Sequence, residues 1–262
     1  LTAYDYTMAV LLDRAEIDVL LVGDSLANVV QGRDTTLPVT LEQMVYHCSC
    51  VSRGTKRALV VGDLPFLSYQ TSPRDAIRSA GALIKDGGVG AVKLEGGVPM
   101  AETIARLVEI DIPVMGHIGL TPQSYHRMGG YRVQGKGTFA SQTAERIMQD
   151  ARAVEQAGAF SIVIEGVPSD LAAEITAELC IPTIGIGAGS ECDGQILVST
   201  DMLGLNTGFV PKFVKQFVAL GEEVVAAAGA FKAEVEQGSF PSVEHSFAAA
   251  QPPVDRHLRM MK

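Results

Sequence analysis

The chain has 262 residues, 47% of them hydrophobic, a mean hydropathy of +0.21, a net charge of −9 and a pI near 5.0. That is apolar material for one large core and about the length of a single (β/α) barrel. Its basic residues form no run, which argues against a nucleic-acid or anionic-membrane surface, and no apolar stretch approaches the ~20 residues needed to span a bilayer.

In chain order, residues 2–4 are the first expected strand. Residues 19–23 follow, Val-Leu-Leu-Val-Gly, an unbroken apolar run that reads as a strand covered on both faces. Polar residues, Asp24 and Ser25, appear only where it stops. Thr40 and Gln43 have the spacing of a capping box, ahead of Leu41, Met44, Val45 and Cys48 on one helix face. Residues 58–62 repeat the strand pattern and end in Asp63. Ser72-Pro73 with Asp75 opens a helix whose stripe is Ile77, Ala80 and Ile84.

Residues 91–94 form the next strand, ending in Glu95, and residues 114–116 another, ending in His117. A helix carrying Ala144, Ile147, Met148, Ala151 and Val154 closes at Gly158. Residues 161–164 lead to Glu165, Leu171, Ile175 and Leu179 mark a further helix, and strands at 183–186 and 196–199 follow. The last helix is expected to carry Phe213, Phe217, Leu220, Val224, Ala228, Phe231 and Val235 on one side and to end at Gly238.

Strands alternating with helices favour one α/β (β/α)8 TIM barrel over an open doubly wound sheet, with residues 1–247 as the barrel domain and 248–262 as a tail. Two connections are longer than passive loops, Asp24 to Thr40 and His117 to Ser141; the second holds Gly119, Gly129, Gly130, Gly135, Gly137, Tyr125 and Tyr131. The four cysteines, Cys48, Cys50, Cys180 and Cys192, read as reduced, mostly buried thiols, which points to a cytoplasmic location. The chain begins at Leu1, which leaves room for an upstream segment or a removed transit peptide.

The chemistry follows from strand parity. Residues two apart face the same way, so if Glu95 points to the barrel axis, Lys93 does too, while Val92 and Leu94 face the helices. Asp24, Asp63 and Glu165 hold the matching place on their own strands. Two like charges ~4 Å apart repel by about 4 kcal/mol at an effective dielectric near 20. Such a cluster needs a cation or a protonated carboxyl, and oxygen ligands without a Cys/His cluster favour magnesium. Asp24 and Asp63 suit direct ligation, with Glu95 one layer back and Glu165 free as a base in a poorly solvated turn.

Duller readings stand beside these. A lone Asp after Gly is more often a turn former, and Lys93 with Glu95 could be a structural ion pair. Ser25 could cap its loop rather than bind substrate, whereas His117, ending a strand, leans toward a ligand. Gly185-Ile186-Gly187-Ala188-Gly189 lacks the dinucleotide fingerprint, so close backbone approach or tight packing is the expected use.

Many stretches, in order, resemble the ketopantoate hydroxymethyltransferase family. They include Thr2-Ala3-Tyr4-Asp5-Tyr6, Val22-Gly23-Asp24-Ser25-Leu26, Gly62-Asp63-Leu64-Pro65-Phe66 and Lys93-Leu94-Glu95-Gly96-Gly97. Further on come Gly116-His117-Ile118-Gly119-Leu120-Thr121-Pro122-Gln123-Ser124, Asp193-Gly194-Gln195, Pro211-Lys212-Phe213 and Glu244-His245-Ser246-Phe247. The resemblance implies a barrel of the phosphoenolpyruvate/pyruvate superfamily type. It also implies Mg2+, 5,10-methylenetetrahydrofolate as co-substrate, a keto acid as acceptor and a homo-oligomer, often a decamer. It places Asp24, Asp63 and Glu95 at the metal, Asp24, Ser25, Asp63, Lys93 and His117 at the substrate, and Glu165 as the base. Residues holding the folate are not indicated.

By the resemblance, cysteine is expected where Gly166 stands, a segment is expected ahead of the first strand, and no counterpart is expected for the tail after Phe247. The rival reading on the same barrel is a carbon–carbon lyase or mutase of the isocitrate-lyase kind, whose Lys-Lys-Cys-Gly-His signature is absent. From a different class comes a non-catalytic keto-acid-binding barrel, which intact acids at four strand ends disfavour.

Overall fold

A computed structural model describes residues 1–136 and 142–248. Gly137 and Ser141 of the long second connection, and the expected tail beyond residue 248, lie outside them. The chain forms two compact units, Leu1–Val218 and Ala219–Lys262. In the first, helix α1 (Tyr6–Arg14) precedes β1 (Val19–Val22), and α2 (Leu26–Val29) and α3 (Leu41–Gly54) lead to β2 (Leu59–Asp63). Then come α4 (Pro73–Lys85), β3 (Ala91–Glu95), α5 (Ala101–Glu109), β4 (Val114–Gly119), α6 (Tyr125–Met128) and α7 (Ala144–Gln156). The unit continues with β5 (Ser161–Glu165), α8 (Ser169–Glu178), β6 (Thr183–Ile186), β7 (Gly194–Gln195) and α9 (Ser199–Met202). The second unit carries α10 (Leu220–Gln237) and a single turn, Val243–His245. No described helix is long and apolar enough to cross a membrane.

The local signals act as the residue types require. Thr40 Oγ1 accepts from the Gln43 N–H, and the Gln43 side chain accepts from the Thr40 N–H, so the capping box starts α3. Ser72 caps α4 with Pro73 in its first turn. All the strands are parallel and each pairs with its neighbour in sequence, β1 through β7.

Among the described residues, seven strands stand where eight were expected. Residues 1–3 take the remaining place as an isolated bridge: Thr2 pairs with Leu21, the Ala3 N–H donates to Leu21 O at 2.9 Å, and the Thr2 N–H donates to Leu197 O at 3.2 Å. The curled sheet therefore closes through the N-terminal segment. The last strand is Gly194–Gln195 rather than residues 196–199, because the Ser199 N–H is taken by Thr2 Oγ1 at 2.9 Å and α9 begins there.

The final helix also differs. It starts at Leu220, so Phe213 and Phe217 precede it; the Phe217 N–H donates to Met202 O, which commits that backbone elsewhere. Its end at Gly238, with φ +70°, is as expected. The cysteines are all free, but only Cys48 and Cys192 are buried; Cys50 is half-buried and Cys180, in the turn after α8, is exposed.

Parity sorts the core into two. Leu20, Val22, Val60, Val92, Leu94 and Ile162 pack outward with helix residues such as Met44, Leu83, Ile104 and Val154. Leu21, Val61, Ala91, Met115 and Val163 form a separate inner plug. The next inward position along each of β2 to β5 is polar: Asp63, Lys93, His117 and Glu165.

Gly119 lets β4 lie against the end of β5. Its φ is +87°, and a Cβ there would come within 2.3 Å of Glu165 O. Gly119→Ala is expected to cost more than about 2 kcal/mol in urea unfolding, from strain plus the clash.

Candidate active site

Above the apolar plug a cavity of about 900 Å³ opens, and Asp24, Ser25, Asp63, Lys93, Glu95, His117 and Glu165 all line it. Every residue singled out for chemistry in the sequence thus reaches one space. Strand register does the assembling: Asp63 lies beside Lys93, Glu95 beside His117, and Gly119 beside Glu165. Both long connections contribute walls, Asn28 and Thr36 from the first, Leu120, Pro122, Tyr131 and Val133 from the second.

Lys93 is the full positive charge in this cluster. Its Nζ sits 2.8 Å from Asp63 Oδ1, with both side chains almost wholly buried. Burial alone would lower the lysine pKa, but Asp63, Glu95 and Asp24 together hold it above its usual value, so Lys93 is an ammonium. Burial, with Asp24 nearby, pushes Asp63 up to about 7 despite the pull of Lys93. Asp63 Oδ2 accepts from the Asp24 backbone N–H at 3.2 Å, which ties the ends of β1 and β2 together.

His117 is neutral. Burial, then the Lys93 charge, hold its pKa well below the ordinary value. Its Nδ1 lies 3.2 Å from Lys93 Nζ, which has only hydrogens to offer. Nδ1 must therefore present its lone pair, and the ring hydrogen sits on Nε2. That nitrogen lies 3.1 Å from Glu165 Oε2, off the line of a good hydrogen bond. Burial raises Glu165 to about 7, with Lys93 pulling the other way. Glu95 is raised well above a normal carboxyl, first by burial and then by Asp24. Its Oε2 accepts from the Gln123 N–H at 3.0 Å, while Oε1 is buried without a hydrogen-bond partner.

Asp24, Asp63 and Glu95 share the cavity, yet among the described residues no three His, Cys, Asp or Glu side chains close into a ready metal cage. Ser25 Oγ is 2.8 Å from Tyr4 Oη, so part of its hydrogen-bonding capacity is used within the protein. The Gly185–Gly189 run packs tightly, as expected. A Cβ at Gly189 would lie 2.5 Å from Ser169 Cβ, and one at Gly187 would lie 2.8 Å from the Phe213 ring.

Sequence reasoning gave no role to Tyr69 or Gln123, both buried beside these acids. The one signal for Gln123 was its place in the run after His117. An uncharged amide announces nothing by charge, and its partners lie far off in sequence.

Lys93→Met would leave Asp63 buried without its cation. A loss of about 3–5 kcal/mol in urea unfolding is expected, with part of it recovered in Lys93→Met/Asp63→Asn.

Comparison with known proteins bears on what this cavity serves. A protein named 3-methyl-2-oxobutanoate hydroxymethyltransferase from Syntrophomonas wolfei subsp. wolfei is 53% identical over 256 residues, 98% of this chain and 92% of the relative. Another of that name from Pelobacter propionicus is 56% identical over 247 residues, 94% of this chain and 90% of the relative. Among solved structures, phosphoenolpyruvate phosphomutase from Streptomyces platensis subsp. rosaceus superposes with a TM-score of 0.59 at 14% identity, covering 95% of this chain and 86% of that one. The 2,3-dimethylmalate lyase, described as a PEP mutase/isocitrate lyase superfamily member, gives 0.56 at 19%, covering 98% and 86%. At such identities the structural likeness is one of fold, and it agrees with the barrel built above. A model of the ketopantoate hydroxymethyltransferase family matches residues 1–243, and with relatives more than half identical over nearly its whole length the chain belongs to that family.

Proposed function

We propose that this chain makes 2-dehydropantoate for pantothenate synthesis. It would transfer a hydroxymethyl group from 5,10-methylenetetrahydrofolate to C3 of 3-methyl-2-oxobutanoate, consuming one water and releasing tetrahydrofolate. The printed names of its relatives support the acceptor and the group transferred. The observation that carries the chemistry is Glu165, a carboxyl raised to about 7 that opens into the same cavity as Lys93, Asp24, Asp63 and Glu95.

The donor set suits a divalent cation. Glu95 Oε1 is a buried acceptor without a partner, and Asp24, Asp63 and Glu95 face one full positive charge, Lys93. All the donors are hard oxygens, and magnesium takes only one or two carboxylates directly, which fits a cluster that is not a closed cage. Asp24 and Asp63 would hold the ion, with Glu95 beside it. When bound, magnesium supplies Lewis-acid stabilisation of the enolate oxygen.

The protein's own groups do the rest. Lys93 and Ser25 orient the keto acid so that C3–H faces Glu165. Glu165 takes that proton into its carboxylate, and the carbanion equivalent bonds to the one-carbon unit; water supplies the hydroxyl, both carbon–nitrogen bonds to the folate break, and the protons from C3 and from water end on its two nitrogens. His117, neutral and carrying its hydrogen on Nε2, lies against the Glu165 carboxylate and keeps a second positive charge away from it. The cavity walls at Leu120, Tyr131 and Val133 limit water beside the carbanion.

Exchange of the C3 proton with deuterated water, followed by NMR without folate, tests the base directly. Glu165→Gln is expected to slow exchange by about 10²–10⁴-fold; wild-type exchange in that variant would remove Glu165 from the role. The pH dependence has a definite sign. Below about 7 Glu165 keeps its proton and cannot accept another, so the exchange rate should rise with pH at unit slope and level off above that value.

Assembly as a homo-oligomer is part of the same proposal. In α10 the side chains of Val224, Val225, Phe231 and Val235 are all exposed, an apolar face that a second copy of the chain would cover. Sedimentation velocity should give a species larger than one chain, and Val225→Asp/Phe231→Asp should shift it toward the monomer.

A further inference from the structure

Gln123, which follows β4, touches residues carried on or just after β1, β2 and β3. Its Nε2 donates to Asp24 Oδ2 at 3.0 Å and to Leu64 O at 2.9 Å. Its Oε1 accepts from Tyr69 Oη at 2.8 Å and from Gln70 Nε2 at 2.9 Å, and its backbone N–H donates to Glu95 Oε2 at 3.0 Å. The side-chain amide therefore has all four of its hydrogen-bonding positions filled. Its orientation is also forced. Turned over, the amide oxygen would face a carboxylate oxygen and a carbonyl oxygen, two acceptors with no hydrogen between them. Tyr69 locks the other side: its hydroxyl also lies 3.1 Å from both the N–H and the carbonyl oxygen of Glu95. The residue is 6% exposed and Tyr69 is 1% exposed, so water does not compete.

Gln123, Tyr69 and Gln70 are absent from the cavity lining, while Asp24 and Glu95 are on it. An amide that is saturated, cannot flip and lies one layer behind two functional carboxylates is built to aim them. We infer that Gln123 is a positioning residue, backed by Tyr69, which fixes the Asp24 carboxylate and the Glu95 carboxylate in the arrangement that receives the divalent ion and the keto acid. This rests on the metal reading proposed above. It adds that the connection after β4 sets the geometry of acids carried by β1 and β3, so one short loop ties three strand ends into a single site.

The test uses Gln123→Met, which keeps length and loses all four hydrogen bonds, and Tyr69→Phe, which keeps the ring and loses the lock. Mn2+ binding is measured by electron paramagnetic resonance on the full chain without keto acid, beside thermal melts and crystal structures. Gln123→Met is expected to weaken Mn2+ binding by about 10- to 100-fold, and Tyr69→Phe to weaken it less in the same direction. The double variant should bind little more weakly than Gln123→Met, because Tyr69 acts largely through the amide. In the Gln123→Met structure Asp24 should leave its present rotamer or spread over several. A purely structural role would lower the melting temperature and leave ion affinity and the Asp24 rotamer as they are, and that result overturns the inference. Should Gln123→Met fail to fold, wild-type Mn2+ affinity in Tyr69→Phe with its Gln123 amide displaced from Asp24 overturns it equally. Absence of Mn2+ binding by the wild-type protein would instead sink the metal reading, and the Asp24 rotamer in the variant structures would still decide the positioning role.

Discussion

One buried ammonium sets the state of the site. Removing Lys93 and Asp63 from water costs several kcal/mol for each charge, and only direct contact offsets it. At 2.8 Å the contact is made. The same ammonium turns toward His117 Nδ1 at 3.2 Å and so decides which ring nitrogen carries hydrogen. Through His117 its influence reaches Glu165, whose carboxylate lies 3.1 Å from Nε2. Burial is the larger influence on Asp63, His117 and Glu165, and this single cation on β3 acts second on all three. That cation shares the cavity with Asp24, Asp63, Glu95 and Glu165, and burial is the first cause that holds Asp63, Glu95 and Glu165 above the ordinary carboxyl range.

The backbone makes this cluster without special turns, by carrying strand alternation one step past the apolar plug. Val61 and Asp63, Ala91 and Lys93, Met115 and His117, Val163 and Glu165 are successive inward positions on β2 to β5. The lower member of each pair fills the barrel and the upper member faces the cavity. Parallel register then fixes which upper members are neighbours. Closure around the ring is less regular. It depends on Thr2 reaching Leu21 on one side and Leu197 on the other, with Thr2 Oγ1 also taking the Ser199 N–H.

Much of this could be read from the chain because the signals were local or strictly periodic. The Thr40–Gln43 box, the proline at 73 and the apolar runs ending in acids each depend on a few adjacent residues, and each appears in the structure. The failures share a cause as well. Residues 196–199 look like a strand by composition, but the Ser199 N–H is claimed by a threonine at the other end of the chain. Phe213 and Phe217 fit the stripe of the last helix, yet Phe213 lies against Gly187 and Phe217 is bonded to Met202, partners no periodicity can announce. Gln123 is the same problem at the site itself, since its bond to Asp24 spans 99 positions. Charge reveals itself in a sequence; an amide that orients charge does not.

The turn after β5 shows why a glycine at 166, where the family resemblance led to the expectation of cysteine, leaves the placement of Glu165 intact. Gly166 adopts φ +56°, a conformation that a side chain makes costly, and a Cβ there would meet Leu120 Cβ at 3.0 Å. The surrounding backbone is fully engaged. The Gly166 N–H donates to Ile186 O, its carbonyl accepts from the Gln134 N–H, and Glu165 O accepts from the Leu120 N–H. The carboxylate of Glu165 is therefore aimed by strand pairing and by the loop above it, not by the residue that follows. A glycine at 166 relieves the contact with the cavity wall while the backbone of Glu165 stays fixed from both sides. What raises Glu165 is its burial among Val163, Val167 and Leu120, which line the same cavity, and none of those walls depends on a side chain at 166.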